Sequence, residues 1–152
     1  MANFTEAFKK GLEAAQTADR ARKEIDKVFK DLNYQLLTET GNKIGINRKE
    51  FVEPNVMGGM KLPAIPGREN KYWAIVAFNP SFKNSPVKIL ARWSMDRAGY
   101  PCKISWKNTL YRCEDKEALE NILAEILQDP LVGETLYSLM KWEKPQPEKG
   151  SE

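Results

Sequence analysis

Residues 87–113 constrain this chain more than any other stretch, because they alternate apolar and polar residues and carry a turn that sets their pairing. From Val87 to Met95, Ile89, Ala91, Trp93 and Met95 fall on one side of an extended strand, and Lys88, Leu90, Arg92 and Ser94 on the other. A turn at Asp96-Arg97-Ala98-Gly99 leads into two short strand runs, Cys102–Trp106 and Thr109–Cys113. If Lys107-Asn108 is a two-residue loop, Trp106 faces Thr109, Ile104 faces Tyr111 and Cys102 faces Cys113. Three consecutive antiparallel strands follow, apolar on one side and polar on the other.

The remaining elements surround this unit. Residues 4–32 carry apolar or small residues at alternating steps of three and four: Phe4, Phe8, Gly11, Ala15, Ala18, then Ile25, Phe29 and Leu32, with Arg22 interrupting. Asn3 is placed to cap that helix. Such a stripe suits a dimer seam, but its small centre and Arg22 favour a helix lying across its own domain. Tyr34–Glu39 and Lys43–Arg48 are expected to form a hairpin about Thr40-Gly41-Asn42. Lys71–Phe78 is apolar on both faces, as in a central strand. Asp115 and Asp129-Pro130 open two helices, with apolar positions Leu119, Ile122, Leu123 and Ile126 in the first and Leu131, Val132, Leu136, Leu139 and Met140 in the second. The expected architecture is α+β: a long N-terminal helix, a meandering antiparallel sheet of five to six strands, and two C-terminal helices. Residues 1–142 make one domain on this reading, and residues 143–152 a polar, disordered tail.

Charge is unevenly distributed. The chain of 152 residues has 24 Lys and Arg against 21 Asp and Glu, a net +3. Between residues 83 and 112, however, Lys83, Lys88, Arg92, Arg97, Lys103, Lys107 and Arg112 face only Asp96. Strand alternation puts Lys88, Arg92, Lys103 and Arg112 on the sheet face opposite the apolar one, the candidate nucleic-acid-binding set. Such a surface neutralises phosphates, and unpaired bases need neighbouring aromatics to stack on. The same pattern also describes a solvated outer face, or one covered by the first helix. A second candidate is the segment 51–70, which is expected to be a long irregular connection. Its Val56, Met57, Met60, Leu62 and Ile65 are too apolar for a plain linker and make a candidate protein-partner site.

Much chemistry is excluded by composition. The chain has no histidine, so Ser-His-Asp and Cys-His catalysis are ruled out, and two thiols alone leave half a zinc shell unfilled. Cys102 and Cys113 are expected to be small buried hydrophobes in preference to a redox pair. No phosphate-binding glycine loop, nucleophile elbow or calcium loop occurs, and no stretch carries a family-specific motif. The expectation is therefore a non-catalytic binding module without metal or cofactor. It is expected to be cytoplasmic, without a membrane span, and a monomer or homodimer. Its partner is expected to be single-stranded nucleic acid on the basic sheet face. The alternative is a protein-interaction or regulatory module working through the first helix and segment 51–70.

Overall fold

The computed structural model describes residues 1–53, 55–57, 60–62 and 70–144. The first element, α1 (Phe4–Thr40), is a 37-residue helix whose Asn3 side chain accepts the Glu6 amide. A five-stranded antiparallel sheet follows, in the order β1 (Gly45–Glu53), β4 (Asn70–Phe78), β5 (Lys88–Asp96), β6 (Gly99–Trp106) and β7 (Thr109–Cys113). Two short strands, β2 (Asn55–Met57) and β3 (Met60–Leu62), pair with each other between β1 and β4. The chain then closes with α2 (Lys116–Gln128) and α3 (Pro130–Met140). The expected α+β architecture is thus the one observed.

Two expectations need correction. Tyr34–Glu39 is helical, because α1 continues through it to Thr40. Gly41 and Asn42, expected to turn a hairpin, instead end the helix in left-handed conformations (φ 61° and 65°), with both amides donating to Leu37 O. A helix terminus and a hairpin turn call for the same backbone geometry, so a Gly-Asn pair alone cannot separate them. Leu32 and Leu36 continue the helical stripe past residue 32 and pack on the core, which decides the outcome. The second correction concerns segment 51–70. Among its described residues, Phe51–Glu53 belong to β1 and Asn70 to β4, and β2 and β3 pair antiparallel between them.

One core cluster joins the helices to one face of the sheet. Ile25, Val28 and Phe29 of α1, and Leu119, Ile122, Leu123 and Ile126 of α2, meet Ile46, Ile75, Ala77, Ala91, Trp93, Cys102, Ile104 and Cys113. Burying each isoleucine or leucine side chain contributes roughly 1.5–3 kcal/mol before entropy is counted. Phe29 packs edge-on to Trp93, with ring centroids 5.1 Å apart and planes at 80°. Arg48 closes this edge of the core; its guanidinium lies over the Phe29 ring at 4.4 Å and bonds Asp26 at 2.6 Å.

Only part of α1 takes part in this packing. The helix meets the sheet where Arg22 donates to the Arg97 carbonyl (2.6 Å) and Tyr100 donates to Glu24 (2.7 Å), in and beside the β5–β6 turn. Residues 4–17 are exposed on every side. The expectation that the whole stripe lies across its own domain therefore fails for its first half: the sheet ends before the helix does.

Both C-terminal helices start as their capping residues predict. Asp115 accepts the Ala118 amide at 2.8 Å, and Asp129 accepts the amides of Leu131 and Val132. Asp129 is also the partner of Lys107, so the β6–β7 turn is tied to the start of α3. The Lys107 ammonium, with the capped amides, holds the Asp129 carboxyl below its ordinary range.

Candidate nucleic-acid interface

The sheet register settles which side chains share the face away from the helices. Residues directly opposite each other in paired strands point the same way. Lys103 is opposite Arg112 and Ser94, Ser105 is opposite Arg92 and Leu110, and Arg92 is opposite Ala74. Across β4, Ala74 is opposite Lys49, and Tyr72 is opposite Phe51. Three of the four expected cations, Arg92, Lys103 and Arg112, are therefore brought together on one face. No described helix covers it, because all three helices pack on the other side.

Lys88 is the exception. A register shift between Ile75 and Val76 lets Ile75 pair with Ala91 and Val76 with Ile89. Lys88 then stands opposite Ala77, whose side chain belongs to the helix-side core, and Leu90 packs against that core as well. Ile89 moves to the open face, where it is half exposed. A bulge inserts one residue and inverts the alternation beyond it, so strict period-two counting puts Lys88 on the wrong side.

Aromatic side chains on this face come from strands other than those carrying most of the cations. Phe51 and Tyr72 stack with centroids 5.6 Å apart and planes at 23°. The Arg92 guanidinium lies 4.3 Å from the Tyr72 ring centre and bonds Glu53 at 2.6 Å. Trp73, next to Tyr72 on β4, points to the helix side opposite Trp93. The sequence hides Tyr72 because the continuous apolar run of Lys71–Phe78 carries no phase. Phe51 and Glu53 fall within the expected loop from residue 51 onward, and Lys49 just beyond the expected strand Lys43–Arg48.

Tyr72, Arg92, Ser94, Lys103, Ser105 and Leu110 of this face line a shallow depression of about 400 Å³, which Lys71, Trp73, Trp93 and Met95 from the alternate strand positions also border. Four cations, Lys49, Arg92, Lys103 and Arg112, stand here with two carboxylates, Glu53 on Arg92 and Glu114 on Arg112 at 2.6 Å. Among the described residues, no carboxylate pairs with Lys103. Lys103 and Arg112 are directly opposed like charges, an arrangement that costs stability in a sheet and that Glu114 offsets on the Arg112 side. The depression thus brings ammonium and guanidinium groups, two hydroxyls and the Tyr72 ring, which Arg92 overlies, within three adjacent strands.

The partner-binding candidates Val56 and Met57 lie in β2, and Met60 and Leu62 in β3. Ile65 lies outside the described residues. Residues 145–152 of the expected tail also lie outside them.

Cys102 and Cys113 pair directly, as the two-residue turn requires, and both are fully buried. The turn is of the mirror-image type suited to hairpins, with φ 49° at Lys107 and 60° at Asn108. Burial pushes the Cys102 thiol up to about 12, and burial also raises Cys113. Neither supplies thiolate at neutral pH. Both thiols are expected to stay silent toward a bulky aromatic disulfide reagent at about pH 8 and to react fully once guanidinium unfolds the protein. Fast native reaction of either would show that the β6–β7 hairpin opens readily.

Among the described residues no group of three or more acidic or cysteine side chains is placed to hold a metal ion. No described helix is long and apolar enough to cross a membrane. No protein-family model matches the chain, and neither the curated proteins nor the solved structures contain a match.

Proposed function

We propose that the protein is a binding module for single-stranded nucleic acid, using the open sheet face around Tyr72, Arg92, Lys103 and Arg112. The observation that carries this reading is the stacked Phe51–Tyr72 pair beside Arg92, on the same face as the opposed Lys103 and Arg112. Cations neutralise phosphates and release counterions, while an aromatic face accepts an unpaired base of any sequence. A flat sheet exposes its aromatics to splayed bases, whereas the bases of a duplex are stacked out of reach. Glu53 competes with phosphate for Arg92, which moderates affinity and makes its salt dependence shallower.

Fluorescence anisotropy with labelled single-stranded and duplex oligonucleotides of about 20 nucleotides tests this reading. The expected result is single-strand binding at about 50 mM salt that weakens at least tenfold by about 200 mM. Replacing Arg92, Lys103 and Arg112 together with alanine reduces the affinity by more than about tenfold and flattens the salt slope by up to about three phosphate contacts. Tyr72→Ala weakens binding by about five- to tenfold with little change in that slope, because stacking contributes about 1–3 kcal/mol per base. An absence of binding at low salt with about 100 µM protein, or binding that none of these substitutions alters, overturns the proposal.

A further inference from the structure

The exposed half of α1 is an apolar surface without a partner inside its own domain. Phe4 is 79% exposed, Phe8 68% and Leu12 46%. With Phe4, Phe8, Gly11 and Ala15 as the seam, the flanking positions are Thr5, Ala7, Leu12 and Ala14. Every charge in the segment, Glu6, Lys9, Lys10 and Glu13, falls on the opposite side. At about 1.5 Å per residue, residues 4–17 make a free rod of roughly 20 Å.

Gly11 sharpens this picture. A side chain at Gly11 would meet nothing within 4 Å, so the protomer has no steric need for glycine there. Glycine in an exposed helix interior costs about 1 kcal/mol relative to alanine. The residue makes sense where another chain comes close.

We infer that residues 4–17 pair with the same segment of a second copy, antiparallel, in the register that puts Phe4 against Ala15 and Phe8 against Gly11 of that copy. The two phenylalanines of each chain then fill the space left by small residues on the other. A parallel pair would instead set phenylalanine on phenylalanine and glycine on glycine. Two acids and two bases leave the segment with no net charge, so two copies do not repel. The polar side lacks the Lys/Arg excess of a helix that lies on an anionic membrane.

The paired length also fits. Residue 4 lies opposite residue 15, about two turns short of Ala21, where the β5–β6 turn crowds the helix through Gly99. Four phenylalanines, two leucines and their alanine neighbours bury on the order of 1,000 Å² in total, near the lower limit for specific interfaces and suited to micromolar association.

Sedimentation equilibrium of the full chain between about 5 and 200 µM is expected to show a monomer–dimer equilibrium. Phe8→Glu, at a side chain outside the core cluster of the protomer, weakens that equilibrium at least about tenfold while leaving the circular dichroism spectrum unchanged. Orientation is read from Phe4→Cys and Ala15→Cys under mild oxidation: a disulfide-linked dimer forms when the two variants are mixed and from neither alone. A monomer throughout the range overturns the inference, as does a dimer insensitive to Phe8→Glu or a cross-link from either variant alone. A monomer that instead pellets with phosphatidylserine vesicles, and loses this with Phe8→Glu, assigns the face to a bilayer and equally overturns it.

Discussion

Gly99→Val lowers the thermal midpoint by about 10 °C, because this glycine is where the sheet lets α1 approach. Its φ is 92°, in the region that L side chains rarely adopt. A Cβ there would lie 2.7 Å from the Ala21 Cβ and 3.1 Å from the Arg22 backbone nitrogen. Backbone strain of about 1–3 kcal/mol adds to an overpacking cost of about 1–3 kcal/mol. At roughly 2–4 °C per kcal/mol for a chain of this size, the combined loss is easily read in a melting curve. The neighbouring Arg22–Arg97 bond would be strained by the same shift. A midpoint unchanged within about 1 °C would show that α1 does not rest on the β5–β6 turn.

Ile104→Ala is expected to cost about 2–5 kcal/mol, the range for removing a large buried aliphatic side chain. Ile104 is fully buried in the middle of β6, opposite Trp93 on one side and Tyr111 on the other. Neighbours in regular strands cannot close over the lost atoms, so a cavity remains. Leu110→Ala provides the contrast. That side chain sits on the open face at 61% exposure, and its loss should change stability by less than about 0.5 kcal/mol. Urea unfolding of both variants tests which face is the core, since the two residues lie on adjacent strands but opposite sides. Equal losses would overturn the assignment of faces.

Much of this layout was legible in the sequence, for identifiable physical reasons. The Cys102–Cys113 pairing follows from a two-residue loop, since a tight turn leaves the register no freedom. The starts of α2 and α3 follow from aspartates whose carboxylates satisfy amides that the helix itself cannot. Three of four basic-face cations follow from alternation alone. The failures are equally specific. Lys88 was misplaced because a bulge leaves no mark in the apolar pattern before it. Tyr72 was missed because a strand buried on both sides carries no phase, and Phe51 because prolines and glycines beyond it suggested a loop. The end of α1 was misjudged because Gly41 and Asn42 serve helix termini and hairpins alike.

The order in which α1 meets its neighbours has a consequence for synthesis. The helix is translated first, yet its apolar residues Ile25, Val28 and Phe29 pack against strands that include Trp93, Cys102 and Ile104. At about 5–20 residues per second, some 75 residues separate them by several seconds. During that interval the residues of α1 have no sheet to pack on, and a helix there rests only on its own backbone bonds and its caps at Asn3 and Gly41. The later strands form a meander of near neighbours in sequence, so they can assemble quickly once made. The seat of α1 is therefore complete only when β7 and α2 have followed the turn at Lys107-Asn108.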